Sequence, residues 1–131
     1  MSYKEYDKNN NCIYDKRDDG YEYWYKYDKN NNCIYNKESD GLESWYKFDK
    51  NNNLIHCRNS NDYKYWNKYD ENNNRIYTKT NSGFEYFYKY DENNKRIDIT
   101  HQEFKQIERA RERAKLYLNN KKCSRFEIMD I

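Results

Sequence analysis

The chain has 131 residues, of which 35% are apolar, 19% aromatic and 37% charged, with 17 Tyr, 3 Gly and no Pro. So low an apolar fraction marks disorder only where aromatic residues are also scarce. A single folded domain with a thin aromatic core is therefore expected. A net charge of +2, from 25 Lys+Arg and 23 Asp+Glu, excludes a strong overall field for nucleic acid or membrane, and no apolar run is long enough for a transmembrane helix.

The opening, Met1-Ser2-Tyr3-Lys4-Glu5, has no apolar signal core, so a cytoplasmic location is expected, with no membrane partner. From there Tyr6-Asp7, Tyr27-Asp28, Phe48-Asp49, Tyr69-Asp70 and Tyr90-Asp91 recur every 21 residues. A fixed period of this kind signals stacked copies of one supersecondary unit. Tyr3-Lys4-Glu5 matches Trp24-Tyr25-Lys26, so the array opens with a half unit and runs for about five.

Each unit carries two turn signals. Asp28-Lys29-Asn30-Asn31-Asn32 is one, because Asp and Asn bond back to their own backbone and tolerate the left-handed region. Glu38-Ser39-Asp40-Gly41 is the other. The aromatic and β-branched stretches between them predict an antiparallel meander of nine or ten strands over residues 1–99.

Trp24 and Trp45 are an odd 21 residues apart. Placing both on one face needs one even and one odd loop per unit, or else a β-bulge in each. Two loop assignments satisfy the first condition. One has a three-residue loop at Lys29-Asn30-Asn31, with Asn31 left-handed, and a two-residue loop at Asp40-Gly41. The reverse sets Lys37 opposite Glu43 and staggers successive units by two residues.

Along the long strand, Tyr21, Tyr23, Tyr25 and Tyr27 share one face, expected to be nearly all apolar; Glu22, Trp24, Lys26 and Asp28 share the other. Ile13, Ile34, Ile55, Ile76 and Ile97 recur in the short strand and are expected in the core.

From Thr100 the period becomes helical. Thr100-His101-Gln102-Glu103 reads as a capping box with reciprocal Thr and Glu bonds. Phe104, Ile107, Ala110, Ala114, Tyr117 and Leu118 follow helical spacing up to Asn119-Asn120, the expected end. Residues 123–131 alternate Phe126 and Ile128 as a possible last short strand. Residues 100–131 thus form a second segment, whose helix is expected to cap the array on the tyrosine face.

No P-loop, GxGxxG, HExxH or GxSxG motif is present, and most titratable residues simply follow the repeat, so no enzyme and no cofactor are expected. His56 occupies a position held elsewhere by Tyr14, Tyr35 and Tyr77, and His101 belongs to the helix start. Asp-x-Asn-x-Asn at Asp7, Asp28, Asp49 and Asp70 matches half a calcium loop, but the position-12 Glu is missing, and turns account for these residues without metal. Cys12, Cys33, Cys57 and Cys123 form no CxxC pair and read as free thiols.

The row Trp24, Trp45, Trp66 and Phe87, bordered by Lys26, Lys47, Lys68 and Lys89, supplies candidate contact residues. It reads as cross-strand packing, as a protein-docking patch, or as a stacking platform for single-stranded nucleic acid or sugars. Glu22, Glu43 and Glu85 in the same strands oppose a phosphate track. Arg109, Arg111 and Arg113 on the helix, among Glu108 and Glu112, are a solvated face or a basic contact surface.

Tyr-Asp-x-x-Asn-x-x-Ile, followed by an aromatic run and another Tyr-Asp, resembles the YD repeat of Rhs-type shells and the MORN-like repeats of small antitoxin-like bacterial proteins. The resemblance covers residues 1–99. It departs at Asn31, Asn52, Asn73 and Asn94, where those families favour Gly. About five units are too few to enclose cargo as Rhs shells do.

Taken together, these features lead to the expectation of a non-catalytic, intracellular protein-binding module. Its expected role is stoichiometric inhibition of a larger bacterial effector, a nucleic-acid-handling complex being one such partner, as an antitoxin, an immunity protein or a phage anti-CRISPR. A nucleic-acid or glycan binder is the first alternative. Self-assembly into a homo-oligomer through the edge strand at residues 2–7 is the second.

Overall fold

The computed structural model describes the backbone of residues 1–129 and the side chains of residues 1–121. Ten strands follow one another in sequence order in one antiparallel meander sheet, and a single helix comes after them. The strands are β1 (Tyr3–Tyr6), β2 (Cys12–Lys16), β3 (Glu22–Tyr27), β4 (Cys33–Glu38), β5 (Glu43–Phe48), β6 (Leu54–Asn59), β7 (Lys64–Tyr69), β8 (Arg75–Thr80), β9 (Glu85–Tyr90) and β10 (Arg96–Ile99). The helix, α1, spans His101–Met129. The chain forms two compact units, Met1–Glu85 and Tyr86–Ile131.

In the first unit both kinds of turn have the same backbone. Asp28 N donates to Asn32 O and Asn31 N to Asp28 O; Glu38 N donates to Leu42 O and Gly41 N to Glu38 O. Each is a three-residue loop whose last residue is left-handed, Asn31 at φ 65° and Gly41 at φ 91°. Asp62, at φ 63°, takes the Gly place in the third unit. Two odd loops alone would turn every second unit over.

A β-bulge restores the parity. Tyr27 lies opposite Cys33 but Lys26 lies opposite Tyr35, so Ile34 has no partner. The same skip falls at Ile13, Ile55 and Ile76. The expected pairing of an even with an odd loop is thus replaced by the third possibility, a bulge in each unit. Lys37 does face Glu43, and Trp24 faces Lys37. The straight path from Trp24 across two strands therefore reaches Glu43, and the Trp row steps sideways by two residues per unit.

Turn ladders tie neighbouring units together. Asn11 Nδ2 donates to Asn31 Oδ1, Asn32 to Asn52 and Asn53 to Asn73, each at 2.9 Å. The Asp7 carboxylate accepts the amides of Asn9 and Asn11 at 2.8 and 3.0 Å, and Asp28 repeats the arrangement. On the other row of turns, Ser39 Oγ accepts Glu22 N at 2.6 Å and Ser60 Oγ accepts Glu43 N at 3.0 Å.

The tyrosine face is less apolar than expected. Rings cover it, with Tyr21–Tyr23 centroids 5.1 Å apart and Tyr23–Tyr25 stacked at 6.3 Å. Its middle, however, holds Asn36, Ser44, Asn67 and Thr78, and both Ser44 and Asn67 are buried. Asn67 Nδ2 donates to Leu54 O at 3.0 Å and its Oδ1 accepts Thr78 Oγ1 at 2.8 Å, which offsets the desolvation of a buried amide.

The second unit differs in register. Tyr90 lies opposite Arg96 and Lys89 opposite Ile97, with no skip. Ile97 therefore shares the Lys89 side and is 39% exposed, whereas Ile76, at a bulge, is 6% exposed. Ile13, Ile34 and Ile55 are half-buried, so of the five expected core isoleucines only Ile76 is buried. The missing bulge also sets Ile99 opposite Phe87.

On that same side the helix begins. Phe104, 6% exposed, packs on Phe87 at 4.9 Å between centroids, and His101 stacks on Phe87 at 4.8 Å. The helix start thus covers the Phe87 side of β9, not the tyrosine side that was expected. Glu103 N donates to Thr100 Oγ1 at 3.2 Å, but the Glu103 carboxylate meets Lys89 Nζ at 2.8 Å, so only half of the expected capping box is used for capping.

The helix does not stop at Asn119-Asn120; it continues to Met129, where a last strand was expected. Asn-Asn-Lys-Lys lacks the Gly or Pro that ends a helix firmly. Ala110, Ala114, Tyr117 and Leu118 are exposed.

Candidate functional site

On the face opposite the tyrosines, each unit places a short-strand ring against the Trp of the next long strand. Tyr14 meets Trp24 and Tyr35 meets Trp45, both at 5.7 Å between centroids. His56 meets Trp66 at 5.1 Å and nearly parallel, 23° between planes. The register makes each pair directly opposed neighbours, the arrangement in which aromatic side chains stabilise a sheet most.

Charges frame these pairs. Tyr14 Oη donates to Glu22 at 2.6 Å, Tyr35 to Glu43 at 3.0 Å and Tyr77 to Glu85 at 2.8 Å. The bond to Glu22, with burial behind it, pushes the Tyr14 phenol up to about 12. Burial, then Glu85, does the same to Tyr77. Lys26 Nζ lies 5.2 Å from the Tyr35 ring and Lys68 Nζ 5.3 Å from the Tyr77 ring. The Arg58 guanidinium stacks on Trp45 at 4.2 Å. Lys47 stands opposite His56.

The candidate residues separate accordingly. Trp24 and Trp66 are each 37% exposed, while Trp45 is half-buried under Arg58. Phe87 is buried beneath His101 and Phe104 and offers no contact surface. Lys26, Lys47 and Lys68 border the exposed rings. On α1, Arg109 and Arg113 are exposed and Arg111 half-buried; Arg109 and Arg113 line an open depression with Glu108 and Glu112, so the charge there is mixed.

An open depression of about 460 Å³ lies over the first pair, lined by Glu5, Ile13, Tyr14, Glu22 and Trp24. The bulge residue Ile13 therefore contributes to the Trp face. The side-step per unit separates successive Trp positions by about 12 Å, too far for neighbouring bases to stack on successive rings. Each Asp-Asn-Asn turn carboxylate is already filled by backbone amides, which hold Asp7 and Asp28 below the ordinary carboxylate range. Cys12, Cys33 and Cys57 are free thiols, and burial raises Cys33 and Cys57. The side chain of Cys123 lies outside the described residues.

Sequence reasoning missed Arg58 and Lys64. Its own signal was present: Lys64 stands where the other units have Glu22, Glu43 and Glu85. No family model matches the chain, and no curated protein matches it either. Among the described residues no helix is long and apolar enough to cross a membrane.

Proposed function

We propose that this chain is a non-catalytic protein-binding module whose Trp24–Trp45–Trp66 face docks on a larger protein, acting as a stoichiometric inhibitor of a bacterial effector. The observation that carries this reading is the pre-set geometry of that face. Each Trp is held by a directly opposed ring, and in the first two units the Tyr of that pair is fixed by a Glu. Rigid rings supply contact area at little entropic cost. The face is broad and open, a shape suited to a macromolecule more than to a small substrate. Interleaved Glu and Lys fit a protein surface of mixed charge better than a continuous phosphate chain.

The test is affinity capture from the native source with the tagged chain and with a Trp24→Ala/Trp66→Ala variant. One protein recovered at equimolar yield by the wild type, and lost with the variant, is the expected result. Recovery of no equimolar protein defeats the reading.

A further inference from the structure

Across the first two units, the position facing the end of each short strand pairs opposite charges. Lys16 stands opposite Glu22, and Lys37 opposite Glu43. The third unit breaks the rule: Arg58 stands opposite Lys64. Like charges in directly opposed positions destabilise a sheet, so the array carries a local cost there that its neighbours avoid.

The same unit also exchanges its Tyr for His56. The Tyr–Glu hydrogen bond of the other units is thus gone from this one, and His56 Nδ1 lies 2.9 Å from the Tyr65 carbonyl instead. Around the His56–Trp66 pair the register places Lys47 and Trp66 beside His56, Arg58 beside Lys64, and Lys79 beside Trp66, with Lys68 further along β7. The strands β6, β7 and β8 present no carboxylate on this face. Of the flanking carboxylates, Glu43 and Glu85 accept hydrogen bonds from Tyr35 and Tyr77, Asp70 is engaged by the turn amides of Asn72 and Asn74, and Asp62 lies exposed in the turn that joins β6 to β7.

We propose that the third unit is an anion-recognition subsite of the docking face, and that it receives an acidic segment of the partner protein. Arg58, Lys64 and Lys47 would meet the carboxylates, while the exposed Trp66 packs on the segment's backbone; Lys79 is balanced by Glu85, which the turn register sets opposite it. The like-charged Arg58–Lys64 pair is relieved when a carboxylate lies between the two side chains. An acidic peptide is favoured over a nucleic acid because the cations occupy one patch only. A strand of phosphates leaving it toward β5 and β3 would run into Glu43 and Glu22. This inference rests on the docking reading above and names the chemistry of one part of it.

The substitution Lys64→Glu gives the third unit the residue type that three other units carry, so it is expected to fold with a Tm at or above that of the wild type. The probe is a fluorescein-labelled peptide of twelve residues alternating Glu and Gly, followed by anisotropy at low salt. The wild type is expected to bind it, and Lys64→Glu to weaken binding at least tenfold, as is His56→Tyr/Lys64→Glu. A Lys8→Glu variant, which makes the same charge change in an exposed turn far from the third repeat, keeps the binding. Absence of peptide binding by the wild type, or equal binding by Lys64→Glu, overturns the proposal. So does tighter binding of a labelled single-stranded oligonucleotide than of the peptide, which would assign the patch to phosphodiesters. The docking reading is judged separately: recovery of no equimolar protein by the wild type defeats it, whereas an equimolar partner captured by wild type and Lys64→Glu alike leaves docking intact and removes only the acidic subsite.

Discussion

Tyr27 Oη donates to the Cys12 carbonyl at 2.7 Å, reaching back across the sheet to the strand that precedes it. That carbonyl stands beside the bulge residue Ile13, and Tyr69 makes the matching bond to Leu54 O, beside Ile55, at 2.8 Å. In these two short strands the carbonyl preceding the extra residue thus acquires a hydroxyl partner from the next long strand, whereas Phe48, at the same place beside β4, has no hydroxyl to give. Tyr27→Phe is expected to cost about 1 kcal/mol, the net worth of one such bond, read as a lower urea midpoint with an unchanged slope.

The bulge itself invites a harsher test. Deleting Ile34 removes the residue that corrects the parity and turns over every side chain on one side of the deletion. Ile34→Ala keeps the register and is expected to cost about 1–2 kcal/mol, less than for a fully buried Ile. Thermal unfolding by circular dichroism should remain cooperative for Ile34→Ala and lose its single transition for the deletion.

At Asn31 two effects separate. Its left-handed backbone, φ 65°, suits Gly and penalises Ala, while its Oδ1 accepts the ladder bond from Asn11. Asn31→Gly loses only the ladder bond and is expected to cost under about 1 kcal/mol. Asn31→Ala loses the bond and adds left-handed strain of about 1 kcal/mol or more. Equal midpoints for the two variants in chemical denaturation would contradict this account.

Alkaline pH should unfold the array. Four phenols are pushed up from 10.0 to about 12: Tyr14 by its bond to Glu22 and by burial, Tyr21 and Tyr77 by burial and neighbouring carboxylates, and Tyr65 by burial and the Cys57 thiol. A phenol whose folded pKa exceeds its unfolded value stabilises the fold fully below the unfolded pKa, and loses that contribution as pH rises through the folded one. The stability loss is therefore expected between pH 10 and about 12. Tyrosinate absorbance at 295 nm should rise in two phases, the later one together with loss of strand ellipticity.

In the second unit, Phe104→Ala is expected to cost about 3 kcal/mol, the usual loss for a buried ring. The substitution removes the packing of Phe104 on Phe87. Hydrogen exchange of the first helical turns should accelerate most, while exchange in β3–β6 stays at its wild-type rate.

The repeat made much of this architecture readable. Tyr-Asp every 21 residues places the strands and turns, and alternation alone separates Tyr23 from Trp24. Parity narrowed the hairpins to a few arrangements, but a bulge leaves no composition signal, and Ile34 looks like any strand isoleucine. The exposure of Ile97 has the same origin: its residue type repeats while its register does not. The seat of the helix was hidden because Phe87 appeared as the fourth member of a surface row, and only packing reveals it beneath Phe104. Lys64 was visible as a departure from Glu, yet its meaning needed the pairing with Arg58.

The unbulged final hairpin also sets a limit on repetition. Because Tyr90, Lys89 and Tyr88 pair with Arg96, Ile97 and Asp98 without a skip, a further module grafted after Ile99 would begin inverted, with its indole turned away from the others. The array thus carries its own punctuation. Lengthening it by protein engineering would require inserting whole modules upstream of Tyr90, where the register is still open to continuation.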